Sequence, residues 1–413
     1  MTETKQKYLI LVGDGMGDEP QEVLDGKTPL EAAHTPNMDR LASCGLLGMT
    51  ETIAADQEPG SDVANMTILG YDPKKFHTGR APLEAASMDV KLGPEDVAYR
   101  CNLVTLREET AGEYVLADYS AGHITSEESR QLVRTLQENL GNREVCFYAG
   151  VSYRHLMVWH RGESDVKITP PHDVTGETVA QYWRVYDEVP LLKSLVQEAM
   201  GILAQHPINR QRQAQGLAPA NAIWLWGQGR RPEMPTLQEL YGITGVAISA
   251  VDLIMGLGTC AGLQKVAVEG ATGYLDTNYQ GKVDAAKKAL AEKDLVFLHV
   301  EAPDEVSHEG RLDLKLQAIE AFDEQVVGPL LEAGGQIQPL RLLLITDHLT
   351  PIRSRTHARG LVPFVIADLP LGEQQCSRSF CERSGRHSNM LVKPGFSLME
   401  AFIRGSLRSG GVQ

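Results

Sequence analysis

The sequence predicts an α/β protein whose main sheet is mostly parallel, with a second α+β domain inserted into the first. Short, continuous apolar runs that end in polar loops occur near both ends of the chain, and such runs are typical of strands buried on both faces of a parallel sheet. Between two of these runs, over about residues 312–332, apolar residues recur with helical spacing. Strands that alternate with helices indicate a parallel sheet.

The first apolar run, Tyr8–Val12, ends in the loop sequence GDGMGD and predicts a buried strand that places Asp14 in a loop. Three further runs of the same form lie towards the C-terminus: Leu295–Val300, Leu342–Ile345 and Val362–Ile366. Open α/β sheets bind their ligands outside the carboxyl ends of the strands. We therefore expect the polar residues that follow these strands to form one site.

The middle of the chain has a different pattern. Alternating segments such as Val145–Tyr148 and His155–Trp159 are mixed with a long polar helix predicted around residues 191–215, whose last part, from residue 205, is a loop-like tract or a frayed helix end. Proline and glycine cluster at both borders. An inserted α+β domain is the simplest account. We predict a core domain of residues 1–72 and 240–413 and an inserted domain of residues 73–239.

The chain is acidic: its 54 acidic and 39 basic residues give a formal net charge of -15. This balance argues against nucleic-acid and anionic-membrane partners, since both need basic surface, and no stretch approaches the ~20 apolar residues of a membrane span. It also argues against an anionic substrate, unless a metal or an arginine cluster reverses the charge locally. The six cysteines are scattered, without a CxxC pair, which predicts reduced thiols in a cytoplasmic protein.

Aspartate and histidine are concentrated at the ends of three predicted strands. The set is Asp14, Asp304, His308, Asp347, His348 and His357. Asp304 and His308 are four residues apart, so a helical turn after the strand puts both side chains on one face. A carboxylate oxygen with an imidazole nitrogen suits Zn²⁺ or Mn²⁺ better than Ca²⁺. Each residue alone is compatible with an ordinary turn or core position, but the set predicts a site for two metal ions.

The segment PGSDVAN predicts a small-residue turn followed by an apolar helix, with Ser61 at the N-cap position. A serine there is often only a cap. The functional alternative is a hydroxyl that a metal activates as a phosphoryl acceptor, with the backbone N–H groups of the helix N-terminus facing the phosphate.

Eight blocks of the sequence form a recognisable set that covers nearly the whole chain. They are VGDGMGD, TPNMDRLA, PGSDVANMTILGYDP, TGRAPLEAAS, SAGHI, VSYRHLMV, VEAPDEVSHEG and TDHLTPIRSRTHA. The set resembles the archaeal-type, cofactor-independent phosphoglycerate mutases of the alkaline-phosphatase superfamily. The resemblance implies an alkaline-phosphatase-like core, with a mostly parallel sheet between helices, and an inserted cap domain that binds substrate. It implies interconversion of 3-phosphoglycerate and 2-phosphoglycerate in glycolysis and gluconeogenesis, without 2,3-bisphosphoglycerate.

The resemblance also implies roles for the site residues. Ser61 would be the nucleophile that forms a phosphoserine. One metal site would use Asp304, His308 and His357. The other would use Asp14, Ser61, Asp347 and His348. The metals of the family are usually Mn²⁺, and in some members Mg²⁺, Zn²⁺ or Co²⁺.

The remaining assignments concern substrate binding and proton transfer. His123 and Asp173 would act as general acid and base. The substrate-binding candidates are Arg154, His172, Arg80, Arg100, Arg230, Arg231 and Lys282. Guanidinium groups suit bidentate binding of phosphate and carboxylate. Longer mutases carry a lysine that has no counterpart in the segment around 247–253.

Two alternatives to a mutase are also compatible with the sequence. A homoserine kinase-like phosphotransferase, or another enzyme acting on phosphate esters, would share the metal and serine residues and differ only in the substrate pocket. A non-catalytic, metal-stabilised binding protein is the remote alternative. In each enzyme interpretation the partner is a small phosphorylated metabolite, with no nucleic acid or membrane. The sequence leaves the oligomeric state and the physiological metal open.

Overall fold

The computed structural model describes residues 5–337, 339–373 and 376–407. The chain divides into two compact units. The first comprises Met1–His77 and Glu233–Gln413, and the second is Thr78–Pro232. The segments 73–77 and 233–239, which the sequence analysis assigns to the inserted domain, thus belong to the first unit.

The elements of the described residues are numbered here in chain order. The strands are β1 (Lys7–Gly13), β2 (Leu46–Glu51), β3 (Asp96–Thr110), β4 (Glu113–Asp118), β5 (Val145–Val151), β6 (Arg154–His160), β7 (Ala222–Arg230), β8 (Gly245–Ile248), β9 (Gln264–Lys265), β10 (Leu295–Val300), β11 (Leu340–Thr346), β12 (Leu361–Leu369) and β13 (Leu391–Val392).

The α-helices are α1 (Pro29–Ala32), α2 (Pro36–Cys44), α3 (Ser61–Ile68), α4 (Pro73–Phe76), α5 (Arg80–Ser87), α6 (Ser126–Leu140), α7 (Ala180–Asp187), α8 (Pro190–Gln205), α9 (Pro207–Ala214), α10 (Leu237–Tyr241), α11 (Asp252–Cys260), α12 (Tyr279–Glu292), α13 (Ala302–His308), α14 (Leu312–Phe322), α15 (Gly328–Gly334), α16 (Glu382–His387) and α17 (Ser397–Arg404). Shorter helical turns are Glu22–Leu24, Pro171–Val174 and Asp323–Val327. None of the helices in the described part of the chain is both long and apolar enough to cross a membrane.

The first unit contains an eight-stranded sheet with strand order β13-β2-β12-β11-β1-β10-β8-β9. Strand β1 pairs in parallel with β10 on one side and β11 on the other, which confirms the predicted mostly parallel sheet. Strand β12 is the exception, because it runs antiparallel to both β11 and β2. Asp368 near the end of β12 therefore lies at the opposite edge from Asp14, where it pairs with Arg341 at 2.7 Å.

Both faces of this sheet are covered. Residues 8–13 of β1 are all buried, and alternate side chains of a strand point to opposite faces. On one face, Leu9 and Leu11 share a core with Val283 of α12 and Phe322 of α14. Burial on both faces explains why the strands read as continuous apolar runs and not as alternating ones.

The helix predicted over 312–332 forms with an interruption. α14 passes through the π-helical segment Asp323–Val327 into α15. The Asp323 carboxylate accepts hydrogen bonds from the backbone N–H groups of Met38 (2.7 Å) and Asn37 (3.2 Å). These groups belong to the first turn of α2, which has no intrahelical acceptors for them. The segment thus ties α14 and α15 to the N-terminus of α2.

The second unit is built on a five-stranded antiparallel sheet in which β3 pairs with β4, β6 and β7, and β6 also pairs with β5. The predicted segments Val145–Tyr148 and His155–Trp159 lie in β5 and β6. The single long helix predicted around 191–215 is wrong: α8 ends before His206, and α9 begins at Pro207. Proline lacks the N–H that a continuous helix needs, but is tolerated in the first turn of a new one.

Candidate active site

Three neighbouring strands of the first unit end at the same edge of the sheet. Because β11, β1 and β10 are adjacent and parallel, the residues that follow them meet: Asp14 after β1, Asp304 in α13 after β10, and Asp347 after β11. All three carboxylates are at most 4% exposed. Burying three carboxylates together is strongly unfavourable unless cations compensate them.

The first cluster contains Asp14, Asp347 and His348, whose donor atoms lie within 4.8 Å of one another. The Nε2 of His348 is 3.4 Å from Asp14 Oδ1 and 3.5 Å from Asp347 Oδ2. The hydroxyl oxygen of Ser61 is 3.0 Å from the same Nε2. A serine hydroxyl thus lies beside a possible metal site of two carboxylates and one imidazole.

The second cluster contains Asp304, His308 and His357. Asp304 Oδ2 is 3.0 Å from Nε2 of His308 and 3.4 Å from Nε2 of His357. The two Nε2 atoms are only 3.1 Å apart, a separation at which two lone pairs need a shared proton or cation between them. The donor atoms of Asp304, His348 and His357 also lie within 4.8 Å of one another, so His348 lies between the two clusters.

Neighbouring groups determine which ring nitrogen faces the clusters. His308 Nδ1 is 2.9 Å from the backbone carbonyl oxygen of Arg355, to which it must donate. The Thr350 hydroxyl donates to Asp304 Oδ1 at 2.5 Å, so it accepts from His348 Nδ1 at 3.1 Å. Both histidines therefore direct an unprotonated Nε2 into the site when neutral, as metal-binding histidines do.

The electrostatics of the cluster favour bound cations. Burial and the charges of Asp347 and Asp304 raise the pKa of Asp14 well above its usual range. Burial would also raise the pKa of Asp304, but hydrogen bonds from His308 and His357 outweigh it and hold that pKa well below normal. Although burial disfavours the charged form of His308, the Asp304 carboxylate raises its pKa to about 9. Divalent cations would relieve the repulsion among the carboxylates, so the donor set fits two metal ions.

Ser61 is not the N-cap residue that the sequence analysis predicts. Gly60 is the N-cap, and Ser61 is the first residue of α3. No side chain caps the helix at Gly60, and the Ser61 hydroxyl faces His348 Nε2. One turn later, the Asn65 amide donates to Asp347 Oδ2 (2.8 Å) and to the Ser61 carbonyl (2.9 Å).

Three supporting residues were not predicted from the sequence: Asn65, Thr350 and His299. Asn65 could have been found, because a residue four positions after Ser61 lies on the same helical face. Thr350 follows His348 by two residues in a loop. Because a loop has no regular geometry, this spacing does not predict where the Thr350 side chain lies. His299 is the one polar residue in the apolar run of β10, and that anomaly was the available signal.

Lys282 lies in the core of the first unit, on α12, and is fully buried. Its ammonium donates to the backbone carbonyl of His299 at 3.3 Å. Burial lowers its pKa to about 8, and Glu301 partly opposes this shift. Among the substrate-binding candidates, it is the one in the first unit.

Replacing Lys282 by methionine should remove a pH dependence of stability. In the wild type the folded state loses the lysine proton near pH 8 and the unfolded state near 10.5. Between these values the unfolded state binds more protons, so the free energy of unfolding rises with pH, by up to roughly 3 kcal/mol. Urea unfolding of metal-free protein at pH 8 and pH 10.5 should show this rise in the wild type and in Lys288→Met, an exposed control on the same helix. A rise of equal size in Lys282→Met would contradict the prediction.

In the second unit, four candidates surround shared aromatic rings. The Arg100 side chain is 11% exposed, pairs with Glu84 at 3.0 Å and lies 4.2 Å over the ring of Trp226. His172 contacts the same ring, with centroids 5.4 Å apart. Burial, together with the charges of Arg100 and Arg80, lowers the pKa of His172 despite the opposing effect of Asp173.

The other members of this group lie nearby. Burial and the charges of Arg80 and Arg154 lower the pKa of Arg100, although Glu84 opposes the shift. Arg154 lies 5.6 Å over the ring of Tyr153, and His123 contacts that ring at 6.1 Å. Within the described residues, the buried Nε of Arg100 has no hydrogen-bond partner. A cationic cluster with a spare buried donor suits an anionic group.

Arg230 and Arg231 are placed differently. The Arg230 guanidinium donates to the backbone carbonyls of Glu95 (2.7 Å) and Gly162 (2.9 Å). Arg230 pairs with Val97 in the sheet, whereas Trp226 pairs with Arg100 further along β3. Arg231 is exposed just after β7. Arg230 therefore holds two loops of the second unit.

Comparison with known proteins extends these observations. A family model described as 2,3-bisphosphoglycerate-independent phosphoglycerate mutase matches residues 42–209. A Geobacter sulfurreducens protein named probable 2,3-bisphosphoglycerate-independent phosphoglycerate mutase is 48% identical over 96% of this chain and 99% of its own length. A Methanosarcina barkeri protein named 2,3-bisphosphoglycerate-independent phosphoglycerate mutase is 48% identical over 94% and 97%. The solved structure of a Pyrococcus horikoshii protein matches with a TM-score of 0.81 and 28% identity, over 98% of this chain and 99% of that one.

Proposed function

Because the chain belongs to the family of 2,3-bisphosphoglycerate-independent phosphoglycerate mutases, we propose that it is an isomerase that interconverts 3-phosphoglycerate and 2-phosphoglycerate through a phosphoserine at Ser61. The observation that carries the proposal is the Ser61 hydroxyl 3.0 Å from His348 Nε2, beside buried carboxylates that need cations. The membership favours this substrate over homoserine, and the serine beside the donor set favours an enzyme over a binding protein.

The cofactors in this proposal are two divalent metal ions, with Mn²⁺ as the first choice and Mg²⁺, Zn²⁺ or Co²⁺ as alternatives. One ion would be held by Asp304, His308 and His357, and the other by Asp14, Ser61, Asp347 and His348. Bound there, the ions would lower the pKa of the serine hydroxyl and neutralise phosphate charge.

The residues of the first unit prepare Ser61 for attack. His348 Nε2 lies within hydrogen-bond distance of the hydroxyl and is oriented by Thr350. Asn65 holds the Asp347 carboxylate in place. Ser61 begins α3, so the free N–H groups of the first turn are available to phosphate oxygens.

The chemistry consists of two phosphoryl transfers. In the first, the Ser61 hydroxyl loses its proton and its oxygen bonds to phosphorus, while the bond from phosphorus to the C3 oxygen breaks and that oxygen takes up a proton. In the second, the C2 hydroxyl of glycerate loses its proton and attacks the phosphoserine, and the bond from phosphorus to the Ser61 oxygen breaks. The Ser61 oxygen then takes up a proton, which restores its hydroxyl. Water must be excluded between the two steps, or the phosphoserine is hydrolysed.

The second unit would bind the glycerate and supply the proton transfers. We assign its carboxylate to Arg100, Arg80 and Arg154, since guanidinium groups bind carboxylates bidentately. His172 would contribute to the same pocket. His123 and Asp173 remain the proposed general acid and base. We also propose a cytoplasmic location, which is supported by the six cysteines, none of which is joined in a disulfide among the described residues.

A coupled assay tests the function. Pure protein with Mn²⁺ should convert 3-phosphoglycerate to 2-phosphoglycerate, measured with enolase, and should not phosphorylate homoserine from ATP. Glycerol 3-phosphate, which lacks the carboxylate, should be a poor phosphoryl donor to Ser61. Homoserine phosphorylation without mutase activity would refute the proposal, and release of inorganic phosphate as the main reaction would indicate a phosphatase.

A further inference from the structure

His299 contacts Asp14 but is not one of the proposed metal ligands. It is the fifth residue of β10, fully buried, and its neighbours in the strand are apolar. Its Nε2 is 2.9 Å from Asp14 Oδ2, and its Nδ1 is 3.2 Å from the Ser249 hydroxyl. A buried imidazole with a polar group at each nitrogen is unusual in an otherwise apolar strand.

The contacts determine the protonation of the ring. The backbone N–H of Val251 donates to Ser249 Oγ at 3.0 Å, so the serine proton is available to His299 Nδ1. Because Nδ1 accepts the serine proton at 3.2 Å, the neutral ring carries its one proton on Nε2. That proton faces Asp14 Oδ2, although the N–H direction is off the line to the oxygen and no aligned hydrogen bond forms.

The two oxygens of Asp14 consequently differ. Oδ2 faces the Nε2–H of His299. Oδ1 is buried, lies 3.4 Å from His348 Nε2, and receives no hydrogen bond within the described residues. The N–H beside Oδ2 disfavours a cation there, whereas Oδ1 faces the unprotonated Nε2 of His348, so Oδ1 is the oxygen that would contact the ion.

We propose that His299 is a positioning residue that holds Asp14 Oδ2, so that Oδ1 is presented to the metal ion, and that Ser249 sets the tautomer this requires. This inference rests on the proposed function, because it assumes a divalent ion at Asp14, Asp347 and His348. In known metal sites, groups that contact a metal ligand also orient it. Loss of such a group weakens metal binding by about 10–100-fold.

Titration of metal-free protein with Mn²⁺, followed by electron paramagnetic resonance of the free ion, tests this inference. His299→Phe should weaken one of two bound ions by about 10–100-fold and leave the other unchanged. His299→Gln, whose amide can donate from the position of Nε2, should restore most of the affinity. Ser249→Ala leaves the ring in place and should weaken the same ion, which keeps the test decisive if His299→Phe does not fold. His155→Phe, a buried histidine of β6, is the matched control and should bind both ions normally.

Several results would overturn the inference. These are wild-type affinity at both sites in His299→Phe, equal weakening of both ions, or a His299→Gln variant as weak as His299→Phe, which would indicate packing alone. If the wild type binds no Mn²⁺, the metal-dependent function fails first, and the role of His299 fails with it.

Discussion

Replacing Ser61 by alanine should abolish mutase activity while the protein still folds. The hydroxyl lies 3.0 Å from His348 Nε2, and Ser61 is not the N-cap residue of α3, so its removal should leave α3 intact. Without the oxygen no phosphoserine forms. We expect a loss of roughly 10⁴-fold or more, the scale seen when a nucleophilic serine is removed.

The measurement is the coupled assay together with incubation in radiolabelled 3-phosphoglycerate, which should label the wild type and not the variant. Ser397→Ala is a matched control, since Ser397 also begins a helix of the first unit, and it should keep full activity. Normal turnover by Ser61→Ala would rule out the phosphoserine mechanism and leave metal binding untouched.

Replacing Asp304 by asparagine should have the second largest effect. Its Oδ2 faces the Nε2 atoms of His308 and His357, and its Oδ1 accepts from Thr350. The amide has no charge for the cation and brings two N–H donors into the site. We expect loss of one bound ion and a fall in activity of more than about 100-fold, beyond the range for groups that only orient ligands.

Two measurements check this outcome. Mn²⁺ titration should give one ion per chain in Asp304→Asn, and the pKa of His308 in metal-free protein, about 9 in the wild type, should fall in a histidine NMR titration. The lower value follows because the carboxylate that stabilises the charged ring is gone. Asp313→Asn, an exposed aspartate paired with Arg311, is the control. Two tightly bound ions in Asp304→Asn would contradict the assignment of this ligand.

The parts of the fold that could be predicted from the sequence are those with local signals. The run Tyr8–Val12 and the GDGMGD loop predict a buried strand with Asp14 at its end, because continuous apolarity and turn residues act over a few positions. The direction of a strand within the sheet, by contrast, has no local signal in the sequence. Val362–Ile366 has the same apolar pattern as its neighbours but forms an antiparallel strand, since the pattern is the same in both directions.

The site residues, too, divide into those with a local sequence signal and those without one. The i, i+4 spacing of Asp304 and His308 is local and readable. The position of Ser61 one residue inside α3 depends on where Gly60 ends the extended chain, and an error of one residue is normal at helix ends. Pro207 indicated the break between α8 and α9. The apolar residues keep helical spacing across this break, so their periodicity predicts one continuous helix.

By itself, the sequence determined the strands, the loops that follow them and the residue types able to hold cations and phosphate. Only the tertiary structure decided that His299 contacts Asp14, because strand order and register, not spacing, bring Ser249, His299 and Asp14 together. It also decided what the net charge of -15 means. The three carboxylates converge within one buried site, where their mutual repulsion favours bound cations, whereas the composition counts the same residues only as negative charge.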